Sequence, residues 1–247
     1  MRKPIIKIRD LNYTYPDGTK ALAGIDLDIF EAECLGLIGP NGAGKSTLLL
    51  HLNGILRGEG LIEVMGKEVK KENLDFIRRK VGLVFQDPEA QLFMPTVFED
   101  VSFGPINLDL EKEKVEERVR EALGEVEIEE LSSRITHHLS LGEKKRVCIA
   151  SVLSMRPQLL LLDEPSANLD PRARRDLIAL LKRFNHTKII AGHDLELILE
   201  VCTRVVILYK GRVISQGRPQ EVLANKELMQ TYGLEVPLSL ARKDSSV

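Results

Sequence analysis

The nine residues Gly39-Pro40-Asn41-Gly42-Ala43-Gly44-Lys45-Ser46-Thr47 constrain this chain more than any other stretch of its 247 residues. They satisfy the spacing G-x-x-x-x-G-K-[ST] and stand between an apolar run, Cys34-Leu35-Gly36-Leu37-Ile38, and a helical pattern over 46–56. Such a run reads as a strand buried on both faces. Glycines let backbone N–H groups converge on phosphate oxygens, and a helix starting near Lys45 adds the positive end of its dipole. Lys45 is then expected to neutralise the β- and γ-phosphates, and the Ser46 hydroxyl to ligate Mg2+.

A second run, Leu159-Leu160-Leu161-Leu162-Asp163-Glu164, reads as a buried strand ending in two carboxylates, where a Mg2+ partner must emerge beside the first loop. Asp163 is expected to hold the metal, largely through water. Glu164, one residue further on, is placed to face the γ-phosphate and to accept a proton from, or orient, the attacking water. Around the two motifs the pattern changes along the chain. Ile6 and Ile8, then Ile25, Leu27 and Ile29, alternate at period two and predict antiparallel strands joined through the turn chemistry of Pro16-Asp17-Gly18. The segment 87–157 is mostly helical, with an amphipathic helix over 109–130 whose Val115, Val119, Ala122, Leu123 and Val126 face inward and whose acidic face is solvated. Beyond Pro157 strands (159–162, 188–191, 205–208) alternate with helices (171–184, 195–201), which predicts a parallel sheet covered by helices. A short strand at 213–216 and small helices with a polar tail from Arg218 close the pattern.

Composition narrows the function classes. The formal charge of −2 leaves no global basic field to recruit nucleic acid or anionic lipid. No uncharged apolar run approaches the roughly 18 to 20 residues that span a bilayer, and the start, Met1-Arg2-Lys3-Pro4, carries no apolar signal core, so a cytoplasmic location is expected. Cys34, Cys148 and Cys202 lack any metal-binding spacing and are expected to be small buried hydrophobes rather than a disulfide framework.

These motifs together resemble the nucleotide-binding subunit of an ATP-binding cassette (ABC) transporter, over nearly the whole length from Ile6 to about Leu234. The resemblance implies an α/β fold: a P-loop NTPase with a RecA-like core, an N-terminal antiparallel β region and a helical subdomain. It implies one ABC ATPase domain over 1–247, with the nucleotide-binding core in 1–86 and 158–234, the helical subdomain in 87–157 and a tail in 235–247. Leu139-Ser140-Leu141-Gly142-Glu143 stands in the place of the family signature LSGGQ. In the family that segment caps the γ-phosphate bound by the opposite subunit, so that two chains sandwich two ATP molecules head to tail. Ser140 and Gly142 match. Leu141 departs, putting a side chain where the family lets backbone approach phosphate. Gln86 resembles the loop glutamine that reaches toward Mg2+ and the water, Asp170 the D-loop residue at the dimer interface, and His193 the switch histidine that bonds the γ-phosphate. Tyr15 resembles the aromatic that stacks on adenine, with Tyr13 a close competitor. The implied small molecules are ATP and Mg2+, with residues 39–47, Tyr15, Ser140 and Gly142 binding, Ser46, Gln86 and Asp163 at the metal, and Glu164, His193 and Gln86 catalytic.

A narrower resemblance rests on the stretch from Val84-Phe85-Gln86-Asp87-Pro88-Glu89 through Gln91-Leu92-Phe93-Met94-Pro95-Thr96-Val97 to Phe103-Gly104-Pro105. It is similar to the ATPases of the energy-coupling-factor group, which drive uptake of vitamins and of cobalt or nickel ions. That resemblance implies a second ATPase subunit, identical or different, a membrane scaffold subunit whose coupling helix meets Leu92, Phe93, Met94 and Val97, and a substrate-binding membrane subunit. It implies a peripheral place on the cytoplasmic face of the membrane and no nucleic-acid partner. The rival readings are a soluble ABC ATPase acting on DNA or ribosomes, which usually carries a coiled-coil insertion or two cassettes, and a regulatory nucleotide-binding module with little turnover.

Overall fold

The alternating isoleucines of the first third pair as expected in the computed structural model, which describes residues 3–241. Strands β1 (Pro4–Thr14) and β2 (Lys20–Phe30) run antiparallel, with Ile6 opposite Ile29 and Ile8 opposite Leu27. The turn between them is fastened where the Asp17 carboxylate accepts the Thr19 N–H. Strand β3 (Cys34–Ile38) is buried throughout and leads through the glycine loop into α1 (Lys45–Leu52). That helix stops four residues before its predicted end, because Gly54 turns at φ 73°, and the side-chain amide of Asn53 donates to the Val81 carbonyl just beyond it.

The chain then adds β4 (Glu59–Val64) and β5 (Lys67–Glu68), two strands that extend the antiparallel sheet in the order β2-β1-β4-β5. Helix α2 (Leu74–Lys80) and the buried β6 (Val81–Val84) follow. The stretch after β6 is less helical than predicted: it makes one 3-10 turn at Pro88–Ala90 and runs irregularly to Thr96. Thr96 and Glu99 then form a capping box that opens α3 (Val97–Asn107). The predicted long acidic helix is shorter, α4 (Lys112–Glu125), because Asp109 and Glu127 adopt left-handed backbone at φ 56° and 59° on either side of it. Its buried stripe is the expected Val115, Val119, Ala122 and Leu123.

Helix α5 (Leu141–Leu153) opens on a second capping box, Ser140 with Glu143. The rest alternates as predicted: β7 (Leu159–Asp163), α6 (Pro171–Arg183), β8 (Thr187–Ala191), α7 (Leu195–Val201), β9 (Arg204–Tyr209) and β10 (Arg212–Gly217), then α8 (Pro219–Ala224), α9 (Lys226–Thr231) and α10 (Leu238–Ala241). The second sheet has the order β10-β9-β3-β8-β7-β6, parallel except for β10 at its edge.

This parallel sheet divides the core. Ile38, Leu160, Leu162, Ile190 and Ile207 point toward the helices α3 to α7, whereas Leu35, Leu37, Leu161, Ile189 and Val206 point toward α1 and the antiparallel sheet. Alternation at period two on a sheet covered on both faces explains why these strands read as unbroken apolar runs. The three cysteines are buried and free, and burial pushes the Cys148 thiol up to about 12, as befits core filling. The parallel order also sets the site: β3, β8, β7 and β6 are successive neighbours, so the loops after their C-terminal ends open on one edge.

Candidate active site

At that edge the phosphate loop is shaped by close backbone approaches. A Cβ at Gly39 would lie 2.1 Å from the Leu208 carbonyl oxygen, and one at Gly44, where φ is 103°, would lie 2.5 Å from that of Ala21. Only glycine fits either position. Lys45, the first residue of α1, is buried and donates to the loop carbonyls of Gly39 (2.9 Å) and Pro40 (3.2 Å). Its Nζ also lies 3.3 Å from His193 Nε2. Burial lowers the Lys45 pKa, and the charges of Glu164 and Asp163 offset part of that shift.

Asp163 ends β7 and is buried near Ser46, whose hydroxyl favours its ionised form. Burial raises the Asp163 pKa, with Ser46, Lys45 and Lys145 pulling the other way. Its Oδ1 is buried without a hydrogen-bond partner. An orphaned carboxylate oxygen next to a hydroxyl is a donor set that fits Mg2+, which takes one or two carboxylates and leaves its other positions to phosphate and water. Ser46 and Asp163 would hold the ion, with Gln86 on the same cavity, and its charge would offset that of the phosphates.

Glu164 follows in left-handed backbone, φ 45°. Its N–H donates to the Ala191 carbonyl at the end of β8 (2.8 Å), and its Oε2 accepts the His193 N–H (3.2 Å). Its Oε1 lies 3.2 Å from His193 Nε2, so that ring nitrogen stands between the Glu164 carboxylate and the Lys45 ammonium. A protonated Nε2 donates to Glu164; an unprotonated one accepts from Lys45. Residues 41–47, Gln86, Glu164 and His193 thus line one open cavity of about 700 Å³. Six of the predicted site residues, Lys45, Ser46, Gln86, Asp163, Glu164 and His193, therefore meet although they come from four separate strand ends.

The two tyrosines differ in surroundings. The Tyr15 hydroxyl bonds Thr47 Oγ1 (3.0 Å), at the loop itself. Tyr13 packs its ring edge-to-face against buried His51 and against Tyr15. Ser140 and Gly142 are not brought to the phosphate loop of their own chain; they line a separate concavity with Asp170, Arg172 and Ala173. Asp170 itself caps α6 by accepting the N–H groups of Arg172 and Ala173.

Sequence patterns also left two contributors unremarked. Arg174 forms a two-pronged ion pair with Asp194 (2.5 Å for each bond), the residue after His193 that caps α7. Lys145 is buried, and its Nζ donates to the carbonyls of Gln86 (2.6 Å) and Glu164 (3.2 Å). The signal for Lys145 was a charge on the inward stripe of a helix, three and four residues before buried Cys148 and Ile149.

Comparison with known proteins decides the family. The sequence profile described as ABC transporter matches residues 22–167. The chain belongs to the ABC transporter family. It is 48% identical to the energy-coupling factor transporter ATP-binding protein EcfA of Carboxydothermus hydrogenoformans, over 94% of this chain and 87% of that one. Among solved structures it resembles cbiO1 of Clostridium perfringens, part of the ABC transporter complex cbiONQ, at a TM-score of 0.83 and 42% identity, covering 98% of this chain and all of that one. A cassette solved as a dimer in a post-hydrolysis state, bound to ADP and phosphate, matches at a TM-score of 0.78 and 28% identity over 87% of this chain and 98% of its own. This ABC cassette has the P-loop NTPase fold and is an ATPase: it binds ATP and hydrolyses it to ADP and phosphate. Among the described residues, no helix is long and apolar enough to cross a membrane.

Proposed function

We propose that this ABC ATPase energises an uptake transporter of the energy-coupling-factor type, carrying cobalt or nickel ions or a vitamin, from the cytoplasmic face of the membrane. The observation that carries this reading is an open apolar groove of about 660 Å³ lined from α2, α3 and α5. Phe93, Phe103, Leu108 and Met155 line it, with Arg78 and Arg79 at its border. Phe93 and Phe103 meet edge-to-face at 4.8 Å and stay exposed, at 62% and 41%, an unusual placement for two aromatic rings. A coupling helix of the membrane scaffold subunit, which also binds a substrate-binding membrane subunit, is the proposed occupant.

The groove corrects the expected contact set. Leu92 and Val97 are buried in the core cluster rather than presented to a partner, because the chain turns at the 3-10 segment and directs Leu92 inward. Of the four, Phe93 is left outside and Met94 is half-buried. Phe93→Asp is therefore expected to melt like the wild type and bind ATP normally, while retention of the membrane scaffold subunit in co-purification drops at least about tenfold, since an apolar groove tolerates an unpaired charge badly. Full retention would remove the groove as the docking site.

In the proposed cycle Mg·ATP binds between residues 39–47 of one subunit and Ser140 and Gly142 of a second ATPase subunit, identical or different. Glu164 accepts the proton of the attacking water, His193 and Gln86 hold the γ-phosphate end, and Ser46 and Asp163 hold Mg2+. Tyr15 stacks on adenine. Higher affinity of ATP for the closed dimer supplies the work on the membrane subunits. Leu141 is half-way out at the start of α5, 36% exposed. Leu141→Gly is expected to leave ATP hydrolysis unchanged or raise it a few-fold, because backbone access to the opposite phosphate returns. A large loss in phosphate release with an intact fold would make Leu141 an integral part of the site.

A further inference from the structure

The buried Lys145 ammonium is not explained by packing. A charge at 2% exposure is costly, and an apolar side chain of the same length would fill the site without that cost. Burial lowers its pKa, and the acidic groups Asp87, Glu164 and Asp163 only partly restore it. The ammonium makes two contacts with consequences for the site, to the backbone carbonyls of Gln86 and Glu164.

The Glu164 contact matters because of its neighbours. The next residue is Pro165, which has no N–H, so the Glu164 carbonyl is the sole hydrogen-bonding group of that peptide. Glu164 also holds a left-handed backbone that a non-glycine residue adopts only when its surroundings enforce it. Its N–H is held by Ala191 on one side and its carbonyl by Lys145 on the other. Gln86 is held by the same nitrogen at the end of β6. One ammonium on α5 therefore joins two segments that line the cavity.

We propose that Lys145 is a positioning residue: by bonding the Gln86 and Glu164 carbonyls together it fixes the direction of the Glu164 carboxylate and ties it to the helix that begins at Ser140. This deepens the reading of Glu164 as the base and rests on it. Lys145 does not itself line the cavity, so its loss acts through the Gln86 and Glu164 segments that it holds.

The test uses Mg·ATP-dependent phosphate release by the full chain. Lys145→Met, which keeps the stem and removes the donors, is expected to lower kcat about 10- to 100-fold while KM for ATP stays within about threefold. Lys145→Gln, which keeps an N–H donor, is expected to recover at least about threefold of that loss, all variants being assayed below the melting temperature of the least stable one. In a Glu164→Gln background, Lys145→Met is expected to cost clearly less than it does in the wild type, the remainder being what Lys145 contributes through Gln86, because effects that pass through one group do not add. Unchanged kcat in Lys145→Met, or losses that multiply in the double variant, overturn the positioning role while leaving Glu164 as the base. Unchanged turnover in Glu164→Gln alone overturns the base, and the positioning role with it.

Discussion

Glu164→Gln is expected to bind Mg·ATP as the wild type does and to hydrolyse it about 100-fold more slowly or worse. The amide keeps the size of the carboxylate and can still accept the His193 N–H, which in the native chain lies 3.2 Å from Oε2. It cannot accept a proton. General-base catalysis is worth about 100- to 10,000-fold, so the loss should dominate any change in positioning. Because the site is then arrested after binding, an ATP-bound dimer is expected to accumulate, seen as a doubled mass by light scattering with Mg·ATP and not with ADP. Unchanged turnover would move the base to His193, whose Nε2 is the nearest alternative at the same cavity. His193 is the more exposed of the two, with 44% of its side chain accessible against 13% for Glu164.

The parts of this chain that could be read in advance are those whose cause lies within a few residues. The phosphate loop, the doubly buried β3 and β7 and the apolar stripe of α4 each carry their own signal, and each appears where the pattern put it. Strands β4 and β5 gave little: the alternation is confined to Ile62, Glu63 and Val64, and only Ile62 and Val64 are buried, held by pairing with β1 some fifty residues earlier. The inward direction of Leu92 depends on the 3-10 turn and on Asp100, whose carboxylate accepts the Phe93 and Met94 N–H groups. Neither is visible from hydrophobicity, which made Leu92 and Phe93 look alike. At the site, the residue types were legible because phosphate chemistry restricts them. Their supports, Lys145 on two carbonyls and Arg174 on Asp194, were not, since each contact joins segments that only the sheet order brings together. Cys34 and Cys202 make the same point, with sulfurs 3.6 Å apart and 168 positions separating them in the sequence.

Lys45→Ala is expected to weaken Mg·ATP binding about 10- to 100-fold in calorimetry, the equivalent of one or two charge-assisted contacts at roughly 1.5–3 kcal/mol each, less what water restores. The glycine-dependent approaches of the loop to Leu208 and Ala21 do not involve the side chain, whereas its bonds to the Gly39 and Pro40 carbonyls are lost with it. A pH series separates lost charge from a distorted loop. In the ligand-free protein burial sets the Lys45 pKa below that of an ordinary lysine, whereas a bound phosphate favours the charged form. Binding therefore takes up a proton once the pH exceeds the ligand-free value, and wild-type affinity falls as pH rises through that point, earlier than for an exposed lysine. The alanine variant has no such proton to take up, so its affinity should stay flat over the same alkaline interval and the two curves should converge at high pH. Equal affinities at neutral pH, or curves that keep a constant gap throughout, would show that the Lys45 charge is not what holds the nucleotide.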